Sequence, residues 1–168
     1  MNVSMFDASV PRFAAMLQNL DAILGKAQAH AEARKIAPAV LLAARLYPDM
    51  LPMSKQVQIA SDHAKGACAR LAGVELPRYE DTEQSFEELR GRINKTLVFV
   101  ESFTPAQLDG SEEKAIAFKL GGRELAFKGM DYLLGFALPN FYFHLVTAYN
   151  ILRHNGVEIG KGDYMGNS

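Results

Sequence analysis

Apolar positions recur every three or four residues through most of the chain, a spacing that gathers side chains on one face of an α-helix. Val10, Phe13, Leu17, Leu20 and Leu24 follow it and predict a first helix from about Asp7 to Ala27. Pro11 fits that helix only in its first turn, where a missing N–H costs nothing, and Gly25 weakens its end. Val40, Leu41, Leu42 and Leu46 predict a short helix between Ala37 and Pro48. A second long helix, from Asp49 or Met53 to Leu71, carries Met53, Val57, Ala60, Ala64, Ala67 and Leu71 in the alternation of a bundle seam. Gly73 stops it, and Pro77 marks Val74 to Glu80 as a loop. The third helix opens at Asp81 or Thr82, with Glu83 in a first turn that favours negative charge. Its stripe is Phe86, Leu89, Ile93, Leu97 and Val100, and Thr104-Pro105 ends it.

The period then changes to two. Ile116, Phe118 and Leu120 alternate, as do Leu125 and Phe127, around Gly121-Gly122, which predicts a β-hairpin at about 114–128. A fourth helix runs from about Asp131 to Asn155 and stops at Gly156, and residues 157–168 read as an extended tail. The expected architecture is one all-α domain over 1–168, an up-and-down four-helix bundle with a small β-hairpin before the last helix.

Composition narrows the function. With 168 residues, 49% of them hydrophobic, the chain suits one domain with a real core. The net charge is -1 and no segment concentrates Lys and Arg, which argues against nucleic acid as a partner. The one cysteine, Cys68, makes no internal disulfide and reads as a small buried hydrophobe. Met1 to Val10 lacks the basic stretch and apolar run of a leader, so a cytoplasmic location is expected. Leu133 to Leu152 is twenty residues without a charge, but Pro139, Asn140, His144, Thr147 and Asn150 suit a buried helix better than a membrane span.

That last helix holds the candidate chemistry. At 100° per residue Leu133, Ala137, Asn140, His144, Thr147 and Ile151 share one stripe, so three polar side chains sit within the most apolar helix. Buried polar groups need partners. Two readings follow: a satisfied polar layer that fixes helix register, or the polar end of a small-molecule pocket between helices. On the second helix His63 and Gln56 flank the seam, able to face either the interhelical space or solvent. Asp62, and to a lesser degree Lys65, fall on the exposed side. His30 reads as solvated beyond the first helix, and His154 with Arg153 as charges favoured at the last helix's C-terminus. Gly-rich phosphate loops and GxSxG, CxxC and HExxH motifs are absent, as are paired ExxH motifs of a di-iron bundle.

Five stretches together have a familiar look: Met5-Phe6-Asp7-Ala8-Ser9-Val10-Pro11, Arg45-Leu46-Tyr47-Pro48-Asp49-Met50, Gln56-Val57-Gln58-Ile59-Ala60, Ala69-Arg70-Leu71-Ala72-Gly73, and Phe141-Tyr142-Phe143-His144 leading to Leu152-Arg153-His154-Asn155-Gly156. They resemble an uncharacterised bacterial family of unknown function within the DinB/YfiT-like superfamily, whose members are regarded as metalloenzymes. The resemblance covers nearly the whole chain. It implies the bundle with its hairpin, often a homodimer, and hydrolase-like or thiol-transfer chemistry.

Metal-bearing members of that superfamily use three histidines, one early on the second helix and two in a His-x-x-x-His motif on the last. His144 matches the final position, whereas Asn140 and Gln58 stand at the other two. Amides bind transition metals far less well than imidazoles. Gln58 also points away from the seam, which makes His63 the alternative partner of His144. The resemblance therefore implies at most an incomplete site for a divalent metal such as zinc or nickel. The ligand-binding candidates are Gln56, Asn140, His144 and Thr147, the metal candidates are His63 and His144, and His144 is the candidate catalytic group. The competing expectation is a non-enzymatic, dimerising protein with a degenerate metal site.

Overall fold

The computed structural model describes residues 3–167. Met1 and Asn2 of the N-terminal stretch, and Ser168 of the expected tail, lie outside the described residues. Helix α1 spans Met5–Arg34, α2 Pro38–Ala43, α3 Met53–Ala72 and α4 Phe86–Glu101. A short α5 (Pro105–Leu108) leads to strands β1 (Ala115–Leu120) and β2 (Arg123–Lys128). The chain continues as α6 (Gly129–Tyr132), a π-helical turn (Leu133–Ala137), α7 (Leu138–His154) and α8 (Lys161–Met165). The fold is thus mostly helical, with one antiparallel hairpin before the last long helix.

The expected stripes form the core. Phe13, Leu17, Leu20 and Leu24 are fully buried, as are Val57, Ala60, Ala64 and Ala67 on α3 and Leu89 and Ile93 on α4. α1 packs chiefly on α4, and α3 chiefly on α7 and then on α4. Alanines on the α3 seam keep its axis close to its neighbours, so long side chains from α1, α4 and α7 fill the space between.

Several boundaries differ from expectation, each for a local reason. Ser4 caps α1 by accepting from the Asp7 N–H at 3.1 Å, so Pro11 lies beyond the first turn. The Asp7 carbonyl that proline deprives of an N–H accepts instead from Arg12 Nε at 3.3 Å. Gly25 does not end the helix. Beside it lies Arg90, whose guanidinium is 3.6 Å from where a Cβ would be, an ordinary contact distance, and grips Asp21 with two bonds of 3.0 Å. The helix then continues through buried Ala27 and Ala31, which puts His30 within it, half-buried. α4 starts at Ser85, not Asp81 or Thr82: Ser85 Oγ accepts from the Glu88 N–H at 3.1 Å while Glu88 accepts from the Gln84 N–H at 2.5 Å.

The hairpin matches its prediction. Ala115 pairs with Lys128 and Leu120 with Arg123, and Gly121 and Gly122 both take positive φ, at 55° and 80°. The expected extended tail is corrected. Val157 and Ile159 are buried, and α8 packs on α1, with Asn19 donating to the Tyr164 carbonyl at 3.0 Å and Lys26 paired with Asp163. Apolar residues too sparse to show a period still reach the core.

The seat of the last helical segment is Gly129. A Cβ there would come within 1.9 Å of the Ser111 carbonyl oxygen, and Met130 N–H donates to the Glu112 carbonyl at 2.9 Å. Gly129→Ala is expected to destabilise the fold by about 3 kcal/mol, roughly 6–12 °C in Tm, because backbone rather than a flexible side chain must move. Thermal unfolding followed by circular dichroism checks this, and an unchanged Tm would show that the junction is loose.

Candidate functional site

The expected continuous helix from Asp131 is interrupted. Pro139 has no N–H for the Gly135 carbonyl, and just before it Leu138 N–H reaches back five residues to the Leu133 carbonyl. The wider turn changes the phase between the two halves of the segment. Ala137, Thr147 and Ile151 are buried as their shared stripe implied, but Asn140 and His144 are only half-buried. Phe141, Leu145, Ala148 and Leu152 supply the core face of α7 instead.

Asn140 and His144 line a cleft of about 510 Å³ between α3 and α7. Its apolar walls are Leu51, Ile59, Leu76, Phe118, Leu120 and Phe136. The polar lining is Asp62, His63, Lys65, Arg70, Asn140 and His144. Its volume falls within the range of clefts that hold small molecules in other proteins. The hairpin contributes Phe118 and Leu120, so the strand alternation that buries Ile116 on the core also supplies an aromatic wall.

His144 is held by one bond that fixes its protonation. Gln56 is buried, and its Nε2 donates to the Leu51 carbonyl at 2.9 Å. Its Oε1 therefore faces His144 Nδ1, 2.7 Å away. An amide oxygen only accepts, so Nδ1 carries the hydrogen and Nε2 keeps its lone pair. Burial lowers the His144 pKa, which keeps the ring neutral at pH 7. His63 lies nearly parallel to it, with ring centroids 5.9 Å apart and planes 13° apart, and meets Phe136 edge-on at 5.7 Å. Burial, then repulsion by His144, brings His63 from 6.5 down to about 4, with Asp62 opposing and Arg70 adding to the depression.

The other candidates are placed as follows. Asn140 Nδ2 donates to the Phe136 carbonyl at 2.7 Å, bracing the end of the π-helical turn. Thr147 Oγ1 donates to the Phe143 carbonyl at 2.6 Å and does not line the cleft. Gln58 is buried on another side of α3, where its Nε2 donates to Glu83 at 2.7 Å. Lys65 corrects the reading of an exposed face, whereas the Asp62 side chain stays 42% exposed. Lys65 is buried, bonded to the Pro77 carbonyl at 2.8 Å and paired with Asp62 at 2.9 Å, and Arg92 grips Asp62, Asp81 and Glu83 at 2.9–3.0 Å. The loop before α4 folds over that side. Cys68 is buried as expected, and burial pushes its thiol up to about 12.

The histidine set does not make a three-ligand metal centre. Of the three superfamily positions only His144 is an imidazole, Gln58 is committed to Glu83, and among the described residues no three His, Cys, Asp or Glu side chains converge on one point. Sequence reasoning missed the role of Arg70, which lines the cleft with its guanidinium 4.2 Å above Phe118. The available signal was Gly66, a helix-interior glycine one turn before it.

Residues 5–165 match the family described as Domain of unknown function (DUF1993). Among solved structures, the crystal structure of a DinB family member protein from Shewanella denitrificans is 43% identical, with a TM-score of 0.86. That match covers 96% of this chain and 91% of the other. No curated protein matches. No helix among the described residues is long and apolar enough to cross a membrane.

Gln56→Ala is expected to release the His144 tautomer, so that long-range ¹H–¹⁵N spectra change from one Nδ1–H form to a mixture; a spectrum identical to wild type would show that Gln56 does not set it. For His63 the depressed folded pKa means that stability is fully present above 6.5 and is lost as pH falls from 6.5 toward 4, where only the unfolded chain takes up the proton. His63→Gln should flatten the Tm profile across that window. A profile as steep as wild type would place the titration elsewhere.

Proposed function

The chain belongs to the DUF1993 family, and from that premise we propose that it binds a small organic molecule in the cleft between α3 and α7, with His144 Nε2 accepting a proton or hydrogen bond from it. The carrying observation is the Gln56–His144 bond at 2.7 Å, which commits Nδ1 and leaves Nε2 as the basic nitrogen of a neutral imidazole lining a largely apolar cleft. An imidazole kept neutral by burial is a base at pH 7 without competing for protons from water. Three features support the reading. A π-helical turn, a feature frequent at functional sites, adjoins it and positions Phe136. Two imidazoles share one cleft although neither forms an ion pair. The four long helices, taken as an up-and-down bundle, have their site where such bundles place one, between facing helices.

The donor set does not fit a three-histidine metal, so no step of the proposed activity passes through one. Proton transfer in a hydrolase- or transferase-type reaction is the chemistry the neutral His144 suits, with Asn140 positioned beside it. Having one cysteine and no internal disulfide, the protein is placed by the proposal in a reducing, cytoplasmic setting. A second reading has its own observation. Leu134, Phe143 and Val146 expose apolar surface on the last helical segment, which suits a homodimer.

A fragment screen by ¹H–¹⁵N NMR tests the leading reading. Binding is expected to shift the His63 and His144 ring resonances together, and His144→Ala should weaken that binding by about tenfold or more while Tm stays within a few degrees. Fragments that shift neither ring would remove the cleft as a ligand site.

A further inference from the structure

Arg70 is a cation without a counter-ion. Its Nη1 donates to the buried Tyr132 hydroxyl at 3.0 Å, and its Cζ lies 4.2 Å above the Phe118 ring. Among the described residues it makes no ion pair, although a guanidinium has five N–H donors. The other charges near the cleft are balanced. Lys55, Lys65 and Arg92 face Asp62, Asp81 and Glu83 in one connected network. His63 and His144 add no charge at neutral pH. The half-buried cleft therefore carries the single uncompensated positive charge of Arg70, set among Phe118, Phe136, Leu76 and Ile59.

Gly66 makes this placement possible. It is buried inside α3, where glycine is costly relative to alanine, and a Cβ there would fall 2.5 Å from Arg70 Nη1. The missing side chain leaves the space that Arg70 Nη1 occupies. Tyr132 holds one corner of the guanidinium and Phe118 one face, leaving the remaining N–H groups unpaired and preorganised.

We propose that the cleft is selective for a small organic monocarboxylate with an aromatic or branched apolar body, its carboxylate held by Arg70 and its body against Phe118 and Phe136. One guanidinium matches one carboxylate in charge and in fork geometry. This rests on the reading of the cleft as a ligand site and adds the ligand's charge class.

Calorimetric titration of the full chain with phenylacetate and 4-methylpentanoate, each against its neutral primary amide, tests it. The acids are expected to bind at least about tenfold tighter than the amides, the loss of one charge-assisted pair. In Arg70→Gln that preference should fall to about one, with amide affinity kept. Should that variant fail to fold, Gly66→Ala decides, since its Cβ displaces the guanidinium without removing the charge; the acid preference should again shrink. Equal binding of acids and amides by wild type would overturn the inference and leave the ligand site standing. So would an acid preference that survives substitution at either position. Failure of all four compounds to bind would overturn both.

Discussion

Helix α3 has to be buried on nearly every side, and the rest of the molecule is arranged around that demand. Thirteen of its twenty residues are buried, including Gln56, Gln58, Ser61 and Lys65. A helix so enclosed cannot leave its polar side chains to water: Ser61 donates to the Val57 carbonyl of its own helix at 3.0 Å, and Gln56, Gln58 and Lys65 find partners outside it. The α4 side meets the demand with charge: the loop before α4 brings Asp81 and Glu83 to Arg92, and Asp62 joins them. The α7 side meets it with neutral groups, Gln56 against His144, and there the packing stays open. One helix thus carries a part-exposed ionic network toward α4 and a largely apolar cleft toward α7, and Asp62 and Lys65 border both.

That asymmetry explains the chemistry. Burial disfavours charge on both imidazoles, and the nearness of His144 disfavours it further on His63. The amide of Gln56, committed by the Leu51 carbonyl, selects the tautomer. The π-helical turn before Pro139 sets Phe136 against His63, and Asn140 stays braced on the Phe136 carbonyl. Each feature has a local cause, and together they leave the cleft with His144 Nε2 as a lone-pair nitrogen of assigned tautomer and with Arg70 as an unpaired cation.

The fold was largely legible because its signals are periodic. Four apolar stripes, the two-residue alternation at Ile116–Leu120 and the paired glycines after it each follow from backbone geometry alone. Boundaries were less legible because capping depends on competition. Asp81 and Glu83 suit a helix start as well as Ser85 does, but Arg92 recruits them into ion pairs, and Ser85 takes the cap. The C-terminal segment was misjudged because Val157 and Ile159 bury themselves without any repeat to announce it.

In the candidate site, helical spacing put Asn140 and His144 on one face, and the bond between Gln56 and His144 joined residues 88 apart that both stood out in the sequence. What spacing could not show was the interruption at Leu133–Ala137, which makes any angle summed across it unreliable, or that Thr147 satisfies itself on its own helix. Nor could it pair charges. Lys65 looks like part of a solvated face until the loop before α4 covers it and Asp62 pairs with it, and Arg70 becomes distinctive only once the charges of that network have found partners. The sequence by itself determined the helices, the hairpin and the residues able to do chemistry, because those depend on local period and residue type. Tertiary structure alone decided which charges cancel, which nitrogen of His144 is basic and where the cleft lies, because each of these is a relation between side chains far apart in the chain.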